Sequence, residues 1–276
     1  MAVNLFWYGC NMTRHGEIIR LSARLLEALG TAAQPVGGPS ACCGSPKEGA
    51  PRIAEGMANR TMDAFDASGA ERVITWCPSC HGNLEDFMAP NKGANFGHSH
   101  IIEAVHEKRE ALRPLLVNRV PARVFVERHV GFQERAPVND AVTELLAMIP
   151  GVEVVEHPYR APSYMCFGLA SVPGALATNQ RRVLDAMAET GADTLVTLFH
   201  SCHRELVGLE KTHPIRVLNW VHLLAEGLGW DYADEYKAWR NSDDPLAAIG
   251  PERLEAAGEA AVRKLVEPEL ARPRLL

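Results

Sequence analysis

The stretch Asp63-Ala-Phe-Asp-Ala-Ser-Gly-Ala-Glu-Arg-Val-Ile-Thr-Trp-Cys-Pro-Ser-Cys-His81 returns later as Asp185-Ala-Met-Ala-Glu-Thr-Gly-Ala-Asp-Thr-Leu-Val-Thr-Leu-Phe-His-Ser-Cys-His203. Asp, Ala, Gly-Ala, Thr and Ser-Cys-His coincide at an offset of 122 residues. Each copy has the same internal order: a helical pattern, a glycine stop, a short apolar run and a cysteine motif. The apolar run reads as a strand, which puts the motif at a strand's carboxyl end. The same offset lays Gly9-Cys10 over Gly131-Phe132. Separated features sharing one offset describe a duplicated domain.

Outward from this repeat, each half has the same rhythm. In the first, residues 3–8 read as a strand and 17–29 as a helix ended by Gly30. Residues 35–51 read as a Gly/Pro-rich loop carrying Cys42-Cys43. Residues 53–68 read as a helix ended by Gly69, and 72–76 as a strand. The second half gives strands at 123–128, 152–155 and 194–198, and helices at 139–149 and 175–190. Strands alternating with helices predict an α/β fold with two pseudo-symmetric parallel sheets. The expected division is residues 1–118, 119–240 and a 241–276 tail, with the seam near Pro114–Pro121. The tail reads as a linker at Asn241-Ser-Asp-Asp-Pro245. An amphipathic helix follows over 251–266, packed on its own chain or serving as a docking arm.

Composition narrows the class. The chain has 276 residues, 47% hydrophobic and 22% charged, with a net charge of −6. That is globular, and it gives no basic surface for nucleic acid. No apolar run reaches the roughly 18–20 residues that span a bilayer. The opening residues show no signal-peptide pattern, so the expected location is the cytoplasm. Seven cysteines are an odd number, and in a reducing compartment clustered cysteines mean metal or redox chemistry.

Five of the seven fall in the first third: Cys10, then 31 residues, Cys42-Cys43-Gly44, and Cys77-Pro78-Ser79-Cys80, with 33 residues between Cys43 and Cys77. A Cys-x-x-Cys alone fits zinc, a redox dithiol or a cluster. Adjacent Cys42 and Cys43 point their side chains apart, which is awkward for one tetrahedral zinc. They suit a polynuclear centre, where each reaches a different iron. Gly44 is expected to take positive φ and to let the backbone approach the inorganic core.

The pattern Cys…Cys-Cys-Gly…Cys-Pro-x-Cys resembles the cysteine-rich CCG domain of the B-type subunits of heterodisulfide reductase and their relatives. The spacing before Cys77 is slightly shorter than usual for that family. The resemblance implies a noncubane [4Fe–4S] cluster on Cys10, Cys42, Cys43, Cys77 and Cys80. It implies one component of a redox enzyme that acts on a disulfide, a thiol or a protein-bound sulfur. It also implies two partners in the same complex, a ferredoxin-like electron carrier and a flavoprotein. The eroded second motif is similar to that of the sulfur-oxidising heterodisulfide reductase-like complexes. Two other functions stay open: a non-catalytic scaffold holding structural metal, and an electron-relay subunit of a lactate- or succinate-oxidising enzyme.

In the second half, Phe132 is expected in place of Cys10, Cys166-Phe167-Gly168 in place of Cys-Cys-Gly, and Phe199-His200-Ser201-Cys202 in place of Cys-Pro-Ser-Cys. No five-thiolate cluster forms there. Cys166 and Cys202 are expected to approach each other inside a pocket of three phenylalanines. They are read as packed remnants, as a zinc site with nearby histidines (His129, His200, His203), or as redox-active thiols. Elsewhere, His98, His100 and His106 read as surface or helix-end residues. Arg14 and His15 are candidates for tuning the first site, and His81 for a hydrogen bond to it. Trp7, Tyr8 and Trp76 read as core. Neither a Gly-x-Gly-x-x-Gly nor a P-loop motif occurs.

Overall fold

A computed structural model describes residues 3–45, 49–133 and 137–271. In the first half the order is β1 (Asn4–Gly9), α1 (Gly16–Ala28), β2 (Gln34–Gly37), α2 (Pro51–Ala67), β3 (Arg72–Thr75), α3 (Pro78–Asn83), β4 (Gly97–His100) and α4 (Ile101–Glu107). The second half runs β5 (Ala122–Glu127), α5 (Val138–Ala147), β6 (Val152–Val155), α6 (Ala175–Thr190), β7 (Thr194–Thr197), α7 (His200–Leu206), β8 (Arg216–Asn219) and α8 (Trp220–Gly227). The strands form two parallel four-stranded sheets, ordered β2-β1-β3-β4 and β6-β5-β7-β8.

The topology positions the sites. The chain leaves β1 in one direction to make β2 and returns on the other side to make β3. Helices packed on the sheet diverge there, so a crevice opens beyond the carboxyl ends of β1 and β3. Cys10 follows β1, and Cys77 and Cys80 follow β3. The β5/β7 pair makes the equivalent crevice in the second half. β7 is buried along its whole length, as a strand covered on both faces must be. α1 turns Ile18, Leu21, Leu25 and Leu26 inward and leaves Arg20 and Arg24 outside, the spacing of a one-sided helix.

The strand register corrects one correspondence. Trp7 pairs with Thr75, and Glu127 pairs with Thr197. The 122-residue offset therefore holds for β3 and β7, but β1 and β5 are related by 120. Cys10 corresponds to Val130, not Phe132, and Gly9 corresponds to His129. The spacer between the first and third strands differs by two residues in the two halves. Two further strands, β4 and β8, lie at sheet edges where no strand was expected, and β2 occupies part of the expected 35–51 loop.

Buried side chains of both halves make one continuous hydrophobic cluster. Trp76 stacks on Trp220, with ring centroids 5.7 Å apart and planes at 15°, and α1 packs on α8. The tail is helical but broken into Pro251–Ala257, Glu259–Leu265 and Glu267–Leu270. Gly258 at φ 79° ends the first segment, where one continuous helix was expected. The tail lies on its own chain: Val262 and Leu270 are buried, Arg14 pairs with Glu269 at 2.9 Å, and Arg240 donates to the Leu270 carbonyl at 2.7 Å.

Candidate metal centres

The five early cysteines meet at the first crevice. Gly9 has φ 80°, and a Cβ there would lie 2.9 Å from Cys80 Sγ and 3.3 Å from Cys77 Cβ. Only glycine lets β1 pass this close to α3. Cys77 sits extended at the N-cap of α3, Pro78 starts the helix, and Cys80 faces inward on its first turn. Trp7 Nε1 donates to the Ala41 carbonyl (2.8 Å), and Thr61 Oγ1 to the Cys42 carbonyl (2.9 Å), which fixes the Cys-Cys loop against β1 and α2. Gly44 takes φ 89°, as expected. Its tight neighbour is the backbone of Ala54 in α2, whose oxygen would lie 2.4 Å from an added Cβ.

The five sulfurs form a connected string. Cys42 Sγ lies 3.5 Å from Cys10 Sγ. Cys42 bonds Cys43, Cys43 bonds Cys80, and Cys80 bonds Cys77. Cys43 receives hydrogen bonds from Cys42 and Cys80, which lower its pKa to about 4. The two donors are correspondingly raised, Cys42 by its bond to Cys43 and Cys80 by bonds to Cys43 and Cys77. Four of the five thiols are buried, and Cys10 is partly exposed. Burial raises Cys10, with repulsion from Cys43 and Cys77 added to it against the lowering bond to Cys42, and the same two neighbours repel Cys80. Five such donors, soft and crowded, could hold a metal centre.

The second crevice holds a different set. Cys166 and Cys202 do approach, since the Cys166 N–H lies 3.4 Å from Cys202 Sγ. Their companions are Glu127 and His129. His129 Nε2 lies 2.8 Å from Glu127 Oε1, 3.3 Å from Cys202 Sγ and 3.8 Å from Cys166 Sγ. Cys166 Sγ lies 3.3 Å from Glu127 Oε1. One donor atom from each residue falls within 4.8 Å of all the others, and all four residues are buried. Zinc bonds of roughly 2.0–2.3 Å place tetrahedral ligands roughly 3.3–3.8 Å apart; the three separations that involve a sulfur fall in that range, the 2.8 Å His129–Glu127 pair is a hydrogen-bonded imidazole–carboxylate contact, and the group could hold a metal ion.

Outer contacts aim these donors. His129 Nδ1 lies 3.0 Å from the Pro162 carbonyl, which can only accept, so the ring proton is on Nδ1 and Nε2 turns its lone pair inward. Asn179 donates to Cys166 Sγ at 3.7 Å and is held by the Tyr159 hydroxyl at 2.6 Å. Without a metal, the charges compensate only partly. Burial opposes ionisation of Glu127, but the His129 charge keeps it below the usual carboxylate value. Burial likewise opposes the His129 cation, which Glu127 more than restores. Cys202 is pushed up by burial but falls below the ordinary thiol value through Cys166 and His129, and Cys166 is raised chiefly by burial.

Other expected contributors lie elsewhere. Phe132 and Phe199 are buried and meet edge to face at 5.6 Å, but Phe167 is 51% exposed, so two phenylalanines line the core rather than three. His203 turns from Cys202 to Asp234 (2.9 Å), and His200 is buried with no partner for either ring nitrogen among the described residues. Arg14 pairs with the tail, and His15 packs on Tyr236 with ring centroids 4.6 Å apart. His100 caps α4 and bonds the Trp76 carbonyl at 2.7 Å, and His106 pairs with Glu144 at 2.6 Å. Trp7 and Trp76 are core. Glu127 was not anticipated. The readable signal is Glu-x-His at a strand's end, because residues two apart in a strand share a face.

Residues 4–85 match the family model of the CCG cysteine-rich domain. The match encloses β1 to β3 and all five cysteines of the first set. That domain occurs in heterodisulfide reductase subunits and is typical of iron–sulfur redox subunits. No curated protein matches the chain.

Proposed function

We propose that the chain is the iron–sulfur subunit of a cytoplasmic heterodisulfide reductase-like complex. Its substrate is a disulfide, a thiol or a sulfane sulfur, and its partners are a ferredoxin-like electron carrier and a flavoprotein. The observation that carries this reading is the convergence of Cys10, Cys42, Cys43, Cys77 and Cys80 at one strand-end crevice, within a match to the CCG domain. Those five residues would hold a single noncubane [4Fe–4S] cluster, which supplies one-electron chemistry at iron beside a sulfur substrate.

The chain's own residues shape what reaches that place. Cys10 is the one partly exposed thiol of the set, so a substrate sulfur approaches from its side. Trp7 in β1 and Trp76 just before Cys77 are fully buried, so the chain on either side of the cysteines is anchored in the core. Gly9 keeps β1 thin where Cys77 and Cys80 converge.

The second set is the ligand shell of a mononuclear zinc-class ion on Glu127, His129, Cys166 and Cys202. A redox role for Cys166 and Cys202 fits less well, because both sulfurs are wholly buried and a substrate thiol has no approach to them. In the described residues no helix is long and apolar enough to cross a membrane.

Anaerobic purification of the chain with its partners, followed by iron and sulfide quantification and EPR, tests the reading. An iron signal perturbed by thiol substrate supports it. Zinc without iron at the first set would instead support a structural or electron-relay subunit of a lactate- or succinate-type enzyme.

A further inference from the structure

A third group of donors lies beside the first crevice, outside both cysteine sets. His81 Nε2 and His98 Nε2 each lie 3.3 Å from Glu85 Oε1. One donor atom from each of the three falls within 4.8 Å of the others. The residues come from α3, the helical turn Leu84–Met88 that continues it, and β4. His81 is on α3, Glu85 follows one turn later on the same face, and His98 stands on β4, the neighbouring edge strand.

The tautomer of His81 follows from its outer contact. Thr75 donates its hydroxyl proton to the Ser99 carbonyl at 3.3 Å. The equivalent Thr197 donates in the same way to the Leu218 carbonyl, also at 3.3 Å, with no hydrogen bond to a histidine among the described residues. The Thr75 oxygen is therefore the acceptor for His81 Nδ1–H at 2.8 Å. That leaves the lone pair of His81 Nε2 aimed at a carboxylate oxygen. Two lone pairs at this distance need a cation between them, a proton or a metal ion. A proton shared between imidazole and carboxylate draws the two atoms to roughly 2.7–2.9 Å. Ligands at tetrahedral angles on metal bonds of roughly 2.0–2.2 Å stand roughly 3.3–3.6 Å apart, and both observed separations, 3.3 Å, meet that spacing.

We infer that His81, His98 and Glu85 form a binding site for a divalent first-row transition ion such as zinc, with Thr75 as the positioning residue. Two imidazoles and a carboxylate are borderline-hard donors that suit such ions. His81 is buried, while the side chains of Glu85 and His98 are about a third exposed, at 30% and 29%. Water therefore completes the coordination from the solvent side. Three protein ligands among the described residues, two of them partly exposed, match the ligand count of an ion that exchanges ligands rather than that of a closed structural site. The second half does not repeat this set: His203 stands at the His81 position but groups with His222 and Asp234, Val217 replaces His98 in the strand register, and Val207 replaces Glu85 at the repeat offset.

Cobalt(II) titration of the full anaerobic chain tests this site independently of the cysteines. Cobalt at the His81 site gives visible ligand-field absorption without the near-ultraviolet sulfur-to-cobalt charge transfer that a cysteine site produces. The expected result is one binding equivalent of that kind, retained in Cys166→Ala and lost in both His98→Ala and Glu85→Gln. Both substitutions are at partly exposed side chains, and far-UV circular dichroism checks that the fold is kept. Thr75→Val, which keeps the shape but removes the acceptor, weakens cobalt binding about 10–100-fold. Equal cobalt stoichiometry in the wild type, His98→Ala and Glu85→Gln would overturn the assignment, as would charge transfer accompanying every bound equivalent.

Discussion

The two halves place their candidate centres at the same topological position and fill it with different donors. In the first half, five thiols crowd beyond β1 and β3. In the second, two thiols, an imidazole and a carboxylate converge beyond β5 and β7. The fold supplies the location, and side-chain chemistry decides the occupant. Five clustered soft donors suit a polynuclear iron–sulfur core, while four mixed donors of imidazole, carboxylate and thiol suit one zinc-class ion. In the second half Glu127 and His129, two apart at the end of β5, stand beside the two remaining cysteines.

The most drastic way to break this comparison is Cys43→Ser. It removes the thiol that links Cys42 to Cys80, and iron should fall to background while zinc in the second half stays. Cys202→Ser should do the reverse, and elemental analysis of both variants reads the outcome. If either substitution removes both metals without unfolding the chain, the halves are not chemically separate.

His129→Ala is the next largest effect. It leaves Glu127 as an uncompensated buried carboxylate beside Cys166, and such losses cost about 3–5 kcal/mol. Denaturant unfolding of the metal-free chain should show it. Glu127→Gln should be milder in the metal-free chain, because no charge is left buried by itself if His129 becomes neutral. Zinc should be lost in both. Gly9→Ala then probes the first crevice: a positive φ and a 2.9 Å approach to Cys80 Sγ should cost about 1–3 kcal/mol and lower iron loading. The corresponding position in the second half is already a histidine.

A smaller effect tests the junction between the halves. Glu17 on α1 is 2% exposed and lies 3.7 Å from His15 and 3.9 Å from His222 of α8. Burial, with help from the Asp234 charge, raises its carboxyl to about 8. The folded state therefore holds a proton that the unfolded chain has released above its ordinary value near 4.5. Stability from this group is present below that value and is lost as pH rises toward 8, by roughly 1 kcal/mol per pH unit. Glu17→Gln should flatten that slope, and unfolding curves at several pH values between 4.5 and 8 measure the difference. Equal slopes in the wild type and variant would remove Glu17 from the junction's energetics.

How much of this was legible depended on what each residue must do. β1, β3, β5 and β7 are central strands, buried on both sides, and their apolar runs announce them. β2 contains Pro35 at a sheet edge, and β4 is Gly97-His-Ser-His100, so neither carries a strand's usual pattern. The five cysteines were readable because their spacing survives without structure. Glu127 was not, because a glutamate at the end of a strand reads as a solvated residue until the topology buries it. Phe132 misled for a related reason: a Gly-aromatic match at the repeat offset outweighed a two-residue shift that only strand pairing reveals. His200 and His203, next to Cys202 in sequence, lie on a helix that turns them to the junction, while distant His129 reaches the sulfurs.

In the reading proposed above, one half holds a cluster and the other does not. Iron counting with EPR on the anaerobically purified chain, beside a variant with Cys166→Ser and Cys202→Ser together, tests it most directly. The account predicts about four irons per chain and an unchanged iron signal in the variant. About twice that iron in the wild type, or loss of the signal when only the second-half cysteines are replaced, would contradict it.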